Sequence, residues 1–175
     1  MATPLVAPMH QPHDPAIQMR FDKNGVPFGV RPLIDTDAST LLVFYDDFEP
    51  KRAAQGLPPK GLDRVRRWLS TILVSGTHLL AFRDGVLIGH ALLMPTQREG
   101  VAEYAVFLRE DERGQGVGTE LTRAAIEVAR EAGLRRLWLS VEFQNRAAVR
   151  SYEKAGFRFL PNTIYSPEAE MELLL

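Results

Sequence analysis

A strand, a glycine-rich turn and a helix follow one another between residues 101 and 132, and this order constrains the fold more than any other feature of the sequence. Residues 101–108 form an apolar run typical of a strand, and Gly114, Gly116 and Gly118 come shortly after it. Beyond the glycines, apolar residues recur at helical spacing until Gly133, a natural helix end. Such a turn directs several backbone N–H groups outward at a helix N-terminus, where phosphate groups bind well. The segment therefore predicts a phosphate site.

The glycine spacing excludes two common phosphate-binding motifs. A P-loop ends in Gly-Lys-Ser/Thr, but Thr119 and Glu120 follow Gly118 here. The dinucleotide fingerprint G-x-G-x-x-G fails as well, because the third glycine comes one residue early. Glycines tolerate unusual backbone angles and let a pyrophosphate approach the main chain. On the glycines alone, another phosphate ligand and a plain helix start both stay open.

The remaining elements place this turn in a mixed sheet with helices packed on it. Prolines bound the first run, which predicts an edge strand, and Asp84-Gly85 predicts a hairpin between the second and third strands. A loop rich in Pro, Gly and basic residues is expected over residues 49–61. The predicted strands are residues 27–32, 77–83, 86–94, 101–108, 136–141, 157–160 and 169–174, and the predicted helices are residues 38–47, 62–75, 117–132 and 145–155.

Length, charge and cysteine content exclude several classes of function. The chain has 175 residues, 45% of them hydrophobic, which suits one domain with a real core. Its net charge of −1 gives no general attraction to nucleic acid or anionic lipid, so we expect neither as a partner. The absence of cysteine excludes disulfides, thiolate nucleophiles and cysteine-rich zinc sites. We expect no metal and a cytoplasmic location.

Residues 1–20 are expected to form a flexible tail before a single domain over residues 21–175. Prolines at positions 4, 8, 12 and 15 and the lack of a basic residue before Arg20 exclude a signal peptide. His10 and His13 within the tail are expected to be solvated. No apolar run reaches the roughly 20 residues that span a bilayer, so no membrane partner is expected.

Two motifs resemble the GNAT superfamily of N-acyltransferases. Arg113-x-x-Gly116-x-Gly118 matches the family's Q/R-x-x-G-x-G/A acyl-CoA motif. Downstream, Asn145-Arg146-Ala147-Ala148 followed by Tyr152 and Gly156-Phe157 is similar to its second signature. The resemblance implies an α/β (α+β) fold with a mixed, mostly antiparallel sheet of about seven strands and about four helices. It also implies that the fourth and fifth strands splay apart, with the pantetheine arm of the donor between them.

The resemblance further implies which residues bind acetyl-CoA, the acyl donor. Asn145 is expected to hydrogen-bond the pantetheine arm, and Arg113 is expected to place a positive charge near the phosphates. Backbone groups for the pantetheine and the thioester are expected from Val106, Phe107 and Leu108. The pyrophosphate is expected on Gly114, Gln115, Gly116, Val117, Gly118 and Thr119.

Tyr152 and Glu103 are the candidate catalytic residues. Tyr152 lies where many family members keep a tyrosine acid near the sulfur; the alternative is a helix tyrosine packed on the sheet. Glu103 precedes the glycine turn at the same offset as a glutamate base in the protein-lysine acetyltransferase branch. A carboxylate within an apolar strand is costly to bury, so partial burial would favour the base role, and a solvated strand residue is the alternative. His78 and His90 are expected to be structural histidines.

We therefore expect an acetyl-CoA-dependent N-acetyltransferase that works by direct attack in a ternary complex. The acceptor is a primary amine, either a protein lysine or a small molecule, and the segment around Glu103 favours lysine modestly. A strip of three glutamates on the last strand could attract a cationic amine or could be a solvated face: Glu168, Glu170 and Glu172. The alternative function is a non-catalytic acyl-CoA-binding sensor or docking module. A homodimer stays open as the oligomeric state.

Overall fold

Strands and helices follow one another in the order that the sequence predicts, with one additional strand at the start. The structure, a computed structural model, describes residues 16–49, 58–161, 163 and 167–175. Its strands are β1 (Gln18–Phe21), β2 (Pro27–Pro32), β3 (Thr77–Arg83), β4 (Val86–Pro95), β5 (Val101–Leu108), β6 (Arg136–Glu142), β7 (Arg158–Phe159) and β8 (Glu168–Leu174). Its α-helices are α1 (Ala38–Asp46), α2 (Leu62–Ile72), α3 (Val117–Glu131) and α4 (Arg146–Ala155), and short 3₁₀ turns cover Asp35–Asp37 and Glu110–Glu112. In this described part of the chain, no helix is long and apolar enough to cross a membrane.

One sheet contains all eight of these strands, in the order β1-β2-β3-β4-β5-β6-β8-β7. Neighbouring strands run antiparallel except β5 and β6, which are parallel. The mixed, mostly antiparallel fold is therefore confirmed, with eight described strands in place of about seven. The predicted Asp84-Gly85 hairpin is confirmed too: both residues adopt the positive φ angles, 49° and 76°, of a tight two-residue turn.

The additional strand lies where the sequence analysis expects a flexible tail. β1 pairs along its whole length with β2, so residues 18–20 belong to the sheet and the tail boundary at residue 20 is corrected. For the same reason β2 is an inner strand, although its two prolines predict an edge. Residues 1–15, with His10 and His13, and residues 50–57 of the predicted loop lie outside the described residues.

Helices cover the two faces of the sheet, and each face has its own core. Side chains alternate along β5: Tyr104 is buried on the face of α3 and α4, whereas Phe107 is buried on the face of α1 and α2. Leu121 of α3 and Leu137 of β6 fill the first core. Tyr45 of α1 belongs to the second. β5 is thus the strand from which side chains reach both faces.

A gap opens between β5 and β6. The two strands pair only over Val101–Glu103 and Arg136–Trp138, after which no ladder joins them. β5 continues to pair with β4, and β6 continues to pair with β8. The predicted splay of the fourth and fifth strands is confirmed and lies between β5 and β6.

Candidate active site

The register of β5 determines which of its backbone groups face the gap. The N–H of Arg109 donates to the C=O of Ile88 at 3.0 Å, and the N–H of Thr96 donates to the C=O of Val101 at 3.3 Å. Hydrogen-bonded pairs recur at every second residue of an antiparallel ladder, so the odd-numbered residues of β5 bond to β4. The residues whose backbone groups turn toward the gap are the even-numbered ones beyond the short ladder: Tyr104, Val106 and Leu108.

This register agrees with the roles predicted for Val106 and Leu108 but not with the role predicted for Phe107. Phe107 is the ladder partner of His90, so its backbone groups bond to β4. Its ring is buried and lies edge-on to the rings of Tyr45 and Phe48, with centroids 5.5 Å and 5.6 Å away. The prediction that Phe107 binds the donor is therefore wrong. Phe107 belongs to the core on the face of α1 and α2.

The glycine-rich turn carries a run of backbone amides that have no acceptor among the described residues. Gly114 and Gly116 have φ angles of +71° and +94°, which favour glycine, and Gly116 immediately precedes α3. Gly118 packs closely on β5, since a Cβ there would lie 3.0 Å from Leu108 Cδ1. Within the described residues, six consecutive N–H groups make no hydrogen bond: Gly114, Gln115, Gly116, Val117, Gly118 and Thr119. Such a row of amides at a helix N-terminus is an anion-binding arrangement.

Arg113 bonds backbone carbonyls at the base of the glycine turn. Its Nε and Nη2 donate to the C=O of Leu108 at 3.1 Å and 3.0 Å, and Nη2 also donates to the C=O of Glu49. The guanidinium lies over the ring of Phe48, 5.2 Å from its centroid, and burial lowers the pKa of Arg113. Arg113 thus closes the base of the turn through three hydrogen bonds to carbonyls, and its role as a cation near the phosphates stays a prediction.

Tyr152 of α4 packs against Tyr104, the first residue of β5 beyond its ladder with β6. Its ring is buried against Tyr104 and Phe157, with centroids 6.2 Å and 5.8 Å away. The Tyr152 hydroxyl makes no hydrogen bond to any residue that the structure describes, whereas the Tyr104 hydroxyl donates to Thr122 Oγ1 at 2.9 Å. Burial raises the pKa of Tyr152 to about 12, so the hydroxyl carries its proton at neutral pH. The ring packs as the structural alternative predicts, on the sheet. The hydroxyl also keeps the proton that a general acid would donate, so both predicted roles stay open.

Asn145 follows β6 and caps α4. Its Oδ1 accepts a hydrogen bond from the N–H of Ala148 at 3.2 Å. The side-chain oxygen therefore caps the helix, and no bond of the Nδ2 group to a described residue is found, so Nδ2 is available for the predicted bond to pantetheine. Next to this cap, the hydroxyls of Thr119 and Ser151 are 2.8 Å apart and join α3 to α4 at the glycine turn.

Glu103 is the last residue of β5 that pairs with β6, where it lies opposite Trp138. It is exposed, so the partial burial that would favour a base is not found. Its side chain points to the face of α1 and α2, whereas Tyr152 packs on the opposite face beside Tyr104. The two catalytic candidates therefore flank the start of the gap from opposite faces of the sheet.

The glutamate strip of β8 pairs with β6. Trp138 Nε1 donates to Glu170 at 3.2 Å, and Ser140 Oγ donates to Glu168 at 3.4 Å. Glu172 forms an ion pair with Arg136 at 3.3 Å. All three carboxylates have partners on the neighbouring strand, which supports the solvated-face interpretation of this strip.

His78 and His90 form a buried chain with Tyr45. His78 Nε2 faces the carbonyls of Ile72 and Ser75 at 3.1 Å and 3.2 Å and so carries a proton. Its Nδ1 then accepts from His90 Nε2 at 3.0 Å, and His90 Nδ1 accepts from the Tyr45 hydroxyl at 2.6 Å. Each ring nitrogen of the two histidines thus has a partner, which supports the structural role. No group of three or more His, Asp or Glu side chains in the described residues could hold a metal ion.

Three residues that hold the glycine turn are not predicted from the sequence: Asp22 and Lys23 of the β1–β2 connection, and Arg83 of β3. Asn24-Gly25 is a strong hairpin signal, but most of the strand before it lies within residues 1–20, where a tail is expected.

Comparison with known proteins identifies the family. Residues 41–157 match the model of the acetyltransferase (GNAT) family. The chain is 30% identical over 128 residues to the L-methionine sulfoximine/L-methionine sulfone acetyltransferase of Pseudomonas aeruginosa, covering 69% of this chain and 74% of that protein.

Solved structures share the fold. The GNAT domain of S. lividans PAT superposes with a TM-score of 0.75 at 23% identity, covering 91% of this chain and 97% of that one. An acetyltransferase-like protein of Salmonella typhimurium, determined with its cofactor acetyl-CoA, gives a TM-score of 0.67 at 19% identity. The superposition covers 85% of this chain and 94% of that one. With its splayed strands, its glycine turn and these relatives, the chain belongs to the GNAT family of N-acetyltransferases.

Proposed function

We propose that this chain transfers the acetyl group of acetyl-CoA to a primary amine by direct attack within a ternary complex. The observation that carries the proposal is the row of six free amides from Gly114 to Thr119, beside the open end of the gap. Gly118 contacts Leu108 at the end of β5, so the amides and the gap form one continuous surface. A ligand with a diphosphate at one end and an amide-containing arm at the other matches this surface.

Two groups of residues bind acetyl-CoA, one at its diphosphate and one along its pantetheine arm. The amides of the glycine turn and the N-terminus of α3 bind the diphosphate. Backbone groups of Val106 and the N–H of Leu108 hydrogen-bond the arm, much as an added strand would. The Nδ2 group of Asn145 donates to the arm from the β6 side. The thioester then lies between the faces that carry Glu103 and Tyr152.

Glu103 and Tyr152 handle the two protons of the reaction. An alkyl amine with a pKa near 10.4 is almost wholly protonated at pH 7, so Glu103 accepts its proton, directly or through a water. The amine nitrogen forms a bond to the acetyl carbon and loses its second proton to solvent as the amide forms, and the carbon–sulfur bond breaks. Tyr152 donates its phenolic proton to the departing thiolate and is reprotonated from solvent. No covalent enzyme intermediate is needed, in keeping with a chain that has no cysteine.

A small amine is the acceptor that the comparisons favour. The relative from Pseudomonas aeruginosa is named for two amino-acid derivatives, L-methionine sulfoximine and L-methionine sulfone. The resemblance of the Glu103 segment to the protein-lysine branch favours a lysine side chain instead. Both acceptors present a primary amine to the same gap, so one assay compares them.

The test is release of free thiol from acetyl-CoA in the presence of an amine panel. The panel contains amino-acid derivatives, including methionine sulfoximine, together with polyamines and lysine peptides. We expect acceptor-dependent thiol release, with the acetylated amine identified by mass. Binding of acetyl-CoA without turnover of any amine would favour the non-catalytic module, and failure to bind acetyl-CoA at millimolar concentration would refute the proposal.

A further inference from the structure

The turn between β1 and β2 lies against the glycine-rich turn, although the two are far apart in sequence. The N–H of Lys23 donates to the C=O of Gln115 at 2.8 Å, and Lys23 Nζ donates to the C=O of Gly114 at 2.6 Å. Asn24 Nδ2 donates to Gln115 Oε1 at 2.9 Å. The contact is close, because a Cβ on Gly116 would lie 3.1 Å from the Lys23 nitrogen. The β1–β2 turn therefore holds the backbone of the glycine turn directly.

These hydrogen bonds determine where two of the free amides point. In a trans peptide the C=O and the N–H of one peptide unit point in opposite directions. The carbonyls of Gly114 and Gln115 share their peptide units with the N–H groups of Gln115 and Gly116. Because Lys23 bonds both carbonyls, both N–H groups face away from the β1–β2 turn, on the side left for an anion. The Lys23 ammonium also polarises the first peptide, which strengthens its N–H as a donor.

An ion-pair network keeps Lys23 in place. Asp22 Oδ1 accepts from the N–H groups of Asn24 and Val26 at 2.8 Å and 3.0 Å, which shapes the turn. Arg83 donates to Asp22 at 2.9 Å and to Glu112 at 2.6 Å. Glu112 ends the 3₁₀ segment that leads into the glycine turn. Arg83 thus joins the two turns from β3, and Lys23 is presented by a fixed backbone.

We propose that Lys23 is a positioning residue for the donor's diphosphate: it presets the amides of Gln115 and Gly116 from the opposite side of the glycine turn. This inference rests on the proposed function, because it assumes that acetyl-CoA binds there. Lys23 acts through the peptide units and does not itself touch the phosphates. Its effect is confined to ligands that carry phosphate groups.

The test compares Lys23→Met with Lys60→Met, which removes the same charge from an exposed lysine outside both turns. Calorimetry measures the affinity for CoA and for pantetheine, which has the arm but no phosphates. Lys23→Met is expected to weaken CoA binding about tenfold or more, the order of a charge-assisted hydrogen bond, and to leave pantetheine binding unchanged. In the same variant, KM for acetyl-CoA is expected to rise about as much as CoA affinity falls, while kcat at saturation is retained. Lys23→Arg is expected to restore most of the affinity.

Amide spectra of the free protein report the positioning itself. We expect the N–H resonance of Gln115 to move in Lys23→Met and to stay in place in Lys60→Met, because only the side-chain bond to the Gly114 carbonyl is lost. The Gly116 resonance is expected to move less, because the backbone N–H of Lys23 still bonds the Gln115 carbonyl. Equal CoA affinity for Lys23→Met and wild type, or equal losses for CoA and pantetheine, would overturn the inference. A wild-type protein that does not bind CoA would refute the proposed function itself, which separates the two failures.

Discussion

Acidification is expected to destabilise this protein through the buried histidine His90. Burial, with a smaller electrostatic contribution from the neighbouring His78, lowers the pKa of His90 from 6.5 to about 3 in the folded state. The unfolded chain binds a proton at this residue near pH 6.5, whereas the folded chain does not until about pH 3. The unfolded state therefore holds more protons between these values, so stability is complete above pH 6.5 and is lost as the pH falls. At 1.36 kcal/mol per pH unit, the loss at pH 4 relative to pH 8 is about 3 kcal/mol.

Urea unfolding at pH 8 and pH 4 of the wild type and of His90→Gln measures this contribution. Glutamine offers an acceptor to Tyr45 and a donor to His78 but does not titrate. The variant is expected to be less stable at pH 8, because its fit is imperfect, and to lose about 3 kcal/mol less than the wild type on acidification. Carboxylates that titrate in the same range are common to both proteins, so their contributions to the change in free energy of unfolding cancel in the comparison. Equal losses of free energy of unfolding in the two proteins would show that His90 is not the group that resists protonation.

Three further substitutions test the site. Tyr152→Phe keeps the buried ring and is expected to lower kcat by about 10²–10⁴-fold with little change in acetyl-CoA affinity; an unchanged rate would show that the thiolate leaves without this acid. Glu103→Gln is expected to lower kcat by about 10²-fold, with partial recovery at high pH where free amine is abundant, and pH–rate profiles that superimpose on wild type would exclude Glu103 as the base. Gly116→Val is expected to abolish CoA binding and to lower stability by about 1–3 kcal/mol, because φ is +94° and the Cβ meets Lys23. Its control is Gly133→Val, with φ +74° and open space around the Cβ, which is expected to show the stability loss alone; retained CoA binding in Gly116→Val would mean that the turn only starts a helix.

Local patterns predicted most of the fold. Period-two and period-3.6 patterning located β2 to β6 and the four helices within a few residues, and Asp84-Gly85 marked its hairpin because its backbone angles are a local property. β1 is not predicted from the sequence, because its apolar side chains, such as Met19 and Phe21, are exposed and follow a proline-rich segment. Its existence depends on pairing with β2, which no local pattern reports.

The site divides in the same way. The free amides of the glycine turn follow from the turn's own backbone, so the motif predicts them. The role predicted for the Phe107 backbone is wrong, because strand register decides which groups face the gap. The contacts of the Arg113 side chain with Glu49 and Phe48 depend on the tertiary fold, so the sequence does not reveal them. The His78–His90–Tyr45 chain joins positions 12 and 45 residues apart, which sequence spacing does not reveal.

The central claim is that the glycine turn holds the donor's diphosphate while the gap between β5 and β6 holds its arm. Titration of CoA into isotopically labelled protein, followed by amide spectra, tests this most directly. The account predicts large shifts for the amides of Gly114 to Thr119 together with those of Val106 and Leu108, and only the latter two with pantetheine. Shifts confined to other parts of the chain, or identical shifts with the two ligands, would contradict it.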